Sequence, residues 1–249
     1  MAASSRGFVH FRDIIAHFCE VVKSTSTSMY FEQKVVRFAL TQWLLLTGWC
    51  WWINRTSLTN LLLLRSGLSA GLISAMSIQL LLLYTDGLLT WQDALPLHLC
   101  SLFGVLSSVL LWRTPALWRE AVCFLGAPAA FLTLFFPLPA FCSHPLLMKI
   151  VFSQLHVLIA LMPLYLRRIK KPLPVDPRRT LIFGNGYLVL ICLFNRCWST
   201  NYLFLNAAPA GTPLMPLYRE GPAFYLCSLE MLCMMIFSLL RPFYTQFRK

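Results

Sequence analysis

The sequence predicts an all-α bundle of about seven membrane-spanning helices, and three observations predict it. Hydrophobic residues make up 58% of the 249 and charged residues only 12%, about half the charged share of an ordinary soluble domain. The apolar residues gather into runs of about 20, the length that crosses a ~30 Å hydrocarbon core. The basic residues behind the net charge of +12 sit at the ends of those runs, where they set orientation. A nucleic-acid binder would need them on one folded face, so membrane lipids are the expected partner and nucleic acid is not.

Residues 1–35 form a polar segment ahead of the bundle, which occupies 36–245. Phe8, Phe11, Ile15, Phe18 and Val22 recur at three- and four-residue spacing, which predicts a short amphipathic helix on the membrane surface. Lys23 to Ser28 (KSTSTS) is a linker. No cleavable signal peptide is visible, and Met29 is a candidate start of translation. Apolar spans follow over about 36–53, 66–84, 95–112, 121–142, 147–166, 180–198 and 222–240. The second has room to begin near Leu58, with Arg65 reaching back to the interface. Tryptophans such as Trp49, Trp51, Trp52, Trp91, Trp112 and Trp118 mark the expected interfaces. Connections are short except for 199–221. No internal repeat is visible, which removes the usual sign of an inverted-repeat transporter. The nine cysteines are dispersed and contain no CxxC pair, so neither a disulfide framework nor a zinc site is expected.

The loops after spans 1, 3 and 5 and the C-terminal tail hold thirteen Lys and Arg residues. Six of them, Arg167, Arg168, Lys170, Lys171, Arg178 and Arg179, lie after span 5. The opposite side holds Lys149 and Arg219, with Arg196 near the end of span 6. Positive residues stay cytoplasmic, which puts the C-terminus inside a cell membrane. The basic residues of the N-terminal segment pull the other way.

Polar groups inside a span are costly and usually face the bundle interior. Here they are His98, Cys100, His156, Asn195 and Glu230. At ~1.5 Å per residue, Cys100, Glu230 and His156 lie roughly 8, 12 and 14 Å from the outer ends of their spans. Asn201 and Tyr202 follow the outward end of span 6, and Asp86 and Asp93 flank the outer loop after span 2. The polar groups therefore collect in one leaflet. His98 and Cys100 are about 200° apart around a helix, so they face different ways, and Cys100 shares a face with Pro96 and Gly104. Each residue also has an ordinary reading. A membrane cysteine is usually a packing residue, and a membrane histidine or asparagine is often an interhelical bond. Together, cysteine and histidine make a nucleophile and its base.

The string WQDALPLHLCSL (Trp91 to Leu102) resembles the signature of the YwaF-like bacterial integral membrane family. Three further matches follow in order. They are His156 in span 5, TNYLFL (Thr200 to Leu205) with Pro209 after it, and GPAFYLCSLE (Gly221 to Glu230) with LLRPF (Leu239 to Phe243). That family is in turn similar to the eukaryotic transmembrane protein 164 acyltransferase, whose fold resembles the androgen-induced-gene membrane hydrolases. The resemblance implies a bacterial cytoplasmic membrane and a catalytic pair of Cys100 and His156. It also implies a phospholipid acyltransferase or lipid hydrolase. Cys100 would carry the acyl group as a thioester and His156 would act as base and acid. His98, Asn201, Tyr202 and Glu230 are the expected substrate-binding residues, with Asn201 or Tyr202 as oxyanion donor. No nucleotide, metal or other cofactor motif is present. The alternatives are a small transporter, on the strength of intramembrane Glu and His residues, and a non-catalytic scaffold.

Overall fold

The computed structural model describes residues 29–90, 94–135, 143–171, 177–208, 212 and 214–246. Met1–Ala39 and Leu40–Lys249 form two compact units, and of the first only the backbone of 29–39 is described. The predicted surface helix over Phe8 to Val22, the linker, Trp91, Asp93, Pro209 and the 136–142 end of the fourth span lie outside the described residues.

Nine helices are present among the described residues, and no strand. They are α1 (Met29–Arg55), α2 (Leu61–Thr85), α3 (Leu99–Leu110), α4 (Ala116–Phe135), α5 (Pro145–Ala160), α6 (Met162–Arg168), α7 (Arg178–Trp198), α8 (Leu214–Arg219) and α9 (Pro222–Gln246). A 3-10 turn over Leu58–Asn60 leads into α2, so the second apolar run does start early. Arg65 lies within α2, and its Nε donates to the Tyr165 hydroxyl at 3.2 Å.

The core forms around α5, which packs against α2, α3 and α4. Met148, Val151, Ser153 and the unbroken run Leu155 to Ile159 are buried. A helix apolar and buried almost all round belongs at the centre of a bundle. α2 offers it one face, with Leu64, Leu68, Leu72 and Ala75 at three- and four-residue spacing. Glycines set the approach: a Cβ on Gly71 would stand 2.9 Å from Leu158, and one on Gly104 would stand 2.8 Å from the Met76 sulfur. Small residues let membrane helices come this close. Gly104 thus turns inward, and with it the face it shares with Cys100.

Two prolines break the regular ladder. Pro128 has no N–H to give to residue 124, and the turn before it, Val122–Gly126, widens into a π segment in which Ala127 N–H bonds to Val122 O. Pro163 likewise ends α5, and α6 departs at 45°.

Four helices are long and apolar enough to cross a membrane: α2, α4, α7 and α9 through Pro242. The bent α5–α6 pair makes five if it counts as one span. The expected count of seven is larger for two physical reasons. α1 is 27 residues long, but Thr41, Gln42, Thr47 and its four tryptophans dilute its apolar content. The predicted span 95–112 shrinks to the 12 residues of α3, only ~18 Å at 1.5 Å per residue. Pro96 and the extended backbone of His98 (φ −69°, ψ 146°) prevent an earlier start.

The outer surface is what lipid requires. Ile182, Met231 and Leu239 are 75%, 70% and 67% exposed, and they stand among further exposed Leu, Val and Met residues on α7 and α9. A water-soluble monomer rarely shows apolar surface on this scale. The chain is a multi-pass membrane protein.

Candidate active site

Cys100 is the second residue of α3 and His156 lies in the last turn of α5. The packing of α3 on α5 brings them together. The Cys100 side chain is close enough to the His156 ring for an electrostatic and hydrogen-bonding interaction, and it lies within hydrogen-bonding reach of the Thr133 hydroxyl of α4. His156 is 2% exposed, sealed among Leu155, Val157 and Leu158.

Phe152 orients the imidazole twice. Its ring lies 4.1 Å from that of His156, tilted by 34°. Its carbonyl oxygen is 2.7 Å from Nδ1. A carbonyl only accepts, so Nδ1 carries the proton and the neutral ring presents its lone pair at Nε2. Nε2 has no bond of full hydrogen-bond geometry among the described residues. The thiol is its neighbour, unaligned at rest, and catalytic bonds of this kind often tighten only when substrate binds. Thr133 donates its hydroxyl proton to Ala129 O at 2.8 Å and stands within hydrogen-bonding reach of Cys100.

The segment before α3 is held by two tyrosines. Tyr187 donates to Leu97 O at 2.7 Å and Tyr202 to Leu95 O at 3.2 Å. Both carbonyls precede α3; Leu95 O also accepts from the Leu97 amide at 2.8 Å, whereas Leu97 O depends on Tyr187, and an unmet polar group in an apolar setting is costly. His98 rests against Tyr202 and Phe204, with ring centroids 4.8 and 5.3 Å away. The loop behind them is strained, since Ser199, Leu203 and Phe204 all have φ between 53° and 56°. Such residues persist only where surrounding contacts fix them. Asn195, 1% exposed, is the fixing group. Its Oδ1 accepts from Thr200 Oγ1 (2.7 Å) and Tyr202 N (2.9 Å), and its Nδ2 donates to Tyr202 O (2.8 Å).

The expected substrate-binding residues therefore stand in different places. His98 and Tyr202 adjoin each other and the start of α3. Asn201 is occupied within its own loop: Nδ2 donates to Ala207 O, and Oδ1 accepts from the amides of Asn206 and Ala207. Glu230 accepts from Asn185 Nδ2 at 3.2 Å. No hydrogen bond or ion pair among the described residues joins it to Cys100 or His156. Sequence reasoning missed Thr133, Tyr187 and Phe152. Thr133 was visible as a lone hydroxyl in the run FLTLF, and the other two passed as ordinary core aromatics. No three of His, Cys, Asp or Glu come together as a metal site among the described residues.

At the extracellular end predicted from charge, Asp86 caps α2 and accepts hydrogen bonds from the hydroxyl and the amide of Ser143, just before α5. The Ser143 hydroxyl, then its amide, holds the exposed Asp86 carboxyl below the usual carboxylate range.

No curated protein and no solved structure matches the chain. A family match does exist and covers residues 25–241. It takes in α1 to α8, nearly all of α9 and both members of the Cys100–His156 pair. On that extent of agreement, the chain belongs to the TMEM164 family.

Proposed function

We propose that this protein is a membrane enzyme that moves or hydrolyses an acyl chain of a phospholipid, with Cys100 as nucleophile and His156 as base and acid. One observation carries the reading. Two residues from separate helices are packed side by side in the bundle, with the histidine tautomer already fixed for accepting a thiol proton. Membership of the TMEM164 family supports it, because the match takes in both residues.

In the first half-reaction, His156 Nε2 takes the thiol proton and Sγ attacks the ester carbonyl carbon. The C=O pair moves to the oxygen. When it returns, the bond to the glycerol oxygen breaks, and the imidazolium protonates that oxygen. A lysolipid leaves and a thioester remains on Cys100. In the second half-reaction His156 deprotonates an alcohol or water, which attacks the thioester and expels the thiol. An alcohol makes the protein a transferase, and water makes it a hydrolase. No step requires a metal or a nucleotide. α1 and the half-length α3 supply the two further passes of a seven-pass bundle. The C-terminus lies in the cytoplasm and the pair lies toward the outer leaflet.

The test uses the purified protein in mixed micelles with a phospholipid whose acyl chain is isotopically labelled. The expected result is hydroxylamine-labile label on Cys100 in the wild type and none in Cys100→Ser. In His156→Ala, labelling slows by about 10²–10⁴-fold, the usual worth of a general base. Turnover that survives Cys100→Ser undiminished removes the proposal.

A further inference from the structure

α3 begins with its amides unclaimed. His98 occupies the N-cap position but provides no side-chain bond to the helix. Leu102 N–H donates to His98 O. The amides of Leu99 and Ser101 have no hydrogen-bond partner among the described residues, and the amide of Cys100 is directed only at its own sulfur. An ordinary helix relieves such donors with Ser, Thr, Asp or Asn at the cap. Here the cap residue is a histidine turned away onto Tyr202 and Phe204. In a bilayer no water replaces the missing acceptor. A second observation meets the first: His156, 2% exposed, turns its ring to the thiol at this same helix end, and Nε2 makes no aligned hydrogen bond among the described residues. A helix end with spare donors and a buried base meet at Cys100.

We infer that the free amides at the start of α3, those of Leu99 and Ser101, form the oxyanion site for the carbonyl oxygen of a carboxylic ester attacked by Cys100. The inference rests on the enzyme reading above and names the groups that reading left open. Helical side chains lean toward the N-terminus. A carbonyl carbon bonded to Cys100 Sγ therefore lies over the end of α3, where N–H groups point outward and the helix dipole is positive. As the S–C bond forms, the carbonyl π pair moves to oxygen and these N–H groups receive the charge. As the C–O bond to the departing alcohol breaks, the pair returns, and the proton taken from the thiol by His156 goes to the leaving oxygen. Asn201 and Tyr202 are not needed as donors. The first is closed within its loop, and the second gives its hydroxyl to Leu95 O. Tyr187 and Tyr202 act as positioning residues that hold the 95–97 turn, and with it the end of α3.

The arrangement allows a backbone donor to be removed by mutation. Leu99 is the first helical residue, where proline is well accommodated. The extended backbone of His98 is the conformation that a following proline prefers. Leu99→Pro deletes one amide, and Leu99→Ala is the control that keeps the amide and loses only the side chain. Each is treated with a p-nitrophenyl acyl ester, whose reaction passes through an oxyanion, and with iodoacetamide, whose reaction does not. Cys100 acylation in Leu99→Pro is expected at least about tenfold slower than in Leu99→Ala, since one such donor is commonly worth 10²–10³. Alkylation by iodoacetamide stays equal in the two. Ser101→Pro against Ser101→Ala repeats the comparison at the other amide should the first proline disturb folding. Equal acylation in the proline and alanine variants, or an equal fall with both reagents, overturns the oxyanion site. Acylation that depends on His156 but is indifferent to both prolines leaves the enzyme standing without this site. Acylation that Cys100→Ser does not abolish removes both.

Discussion

Thr133 shows how a single hydroxyl is shared in an apolar interior. Its proton rests on Ala129 O, and the hydroxyl lies within hydrogen-bonding reach of Cys100, where it can donate to the thiolate that attacks. Thr133→Val keeps the shape and removes that bond, worth about 1 kcal/mol, or about a fivefold slower acylation of Cys100. Thermal stability in detergent is expected to be unchanged, because the donor lost satisfied only its own helix. A large fall in melting temperature would mark Thr133 as a packing residue instead. Asn195 is the opposite case. Asn195→Ala strips partners from Thr200 and from both backbone groups of Tyr202, and a loss of about 3 kcal/mol is expected from unmet buried groups. Cys100 and His156 were legible in the sequence as candidates, because a cysteine and a histidine stood in recognisable motifs. Thr133 was not, because a threonine in an apolar helix usually bonds back to its own turn, and this one does so as well. Tyr202 stands near the start of α3, whereas Asn201 is held by bonds local to a loop whose path spacing does not reveal.

At the level of elements, the widened turn of α4 leaves a debt that α9 settles. Ala127 N–H goes to Val122 O, and the next amide that could serve Cys123 O belongs to Pro128, which has none. Tyr244 supplies the missing donor, its hydroxyl 2.9 Å from Cys123 O and its side chain 3% exposed. Tyr244→Phe is expected to lower stability by about 1–3 kcal/mol, the cost of a buried acceptor left unmet. A thermal melt in detergent measures it, and an unchanged melting point would show that the carbonyl is satisfied otherwise. The link between α2 and α5 carries a pH dependence. Asp86 is held below its ordinary pKa by Ser143, so the contact contributes fully above the ordinary value of about 3.9 and is lost as pH falls through the lowered one. Ser143→Ala is expected to reduce that acid-side loss, read as a smaller difference in melting temperature between pH 6 and pH 3. The sequence displayed Pro128, Pro163 and Pro96 plainly. It did not display whether each would bend, widen or delay a helix, since that depends on what packs against the freed carbonyls.

For the whole molecule, burial sorts the helices into two tiers. The apolar window of α4 is 44% buried and that of α2 33%, against 17% for α7 and 11% for α9. The helices bearing or bracing Cys100, Thr133 and His156 thus form the inner tier, and α7 and α9 give most of their surface to lipid. The all-helical membrane fold was legible from composition and run length alone, which the bilayer enforces directly. The number of complete spans was not, because α1 and α3 fall short in hydropathy and in length, and only tertiary packing decides how such helices are accommodated. Orientation is open to a direct check. Cys197 is exposed near the end of α7, on the side that charge predicts to face outward. In intact cells an impermeant maleimide is expected to label Cys197, while a tag after Lys249 is reached only after permeabilisation. The reverse pattern would turn the bundle over.

The wide turn at Val122–Gly126 also acts as a phase shifter along α4. One extra residue in a turn rotates everything beyond it by about 100°. Without the insertion, Thr133 would swing away from Cys100, while Trp118, Glu120 and Ala121 stayed where they are. Deleting one residue between Val122 and Gly126 should therefore sever the thiol's second contact without touching any residue that makes it. Among related chains, one that lacks a residue there must either carry its hydroxyl at a neighbouring position or manage its cysteine without one.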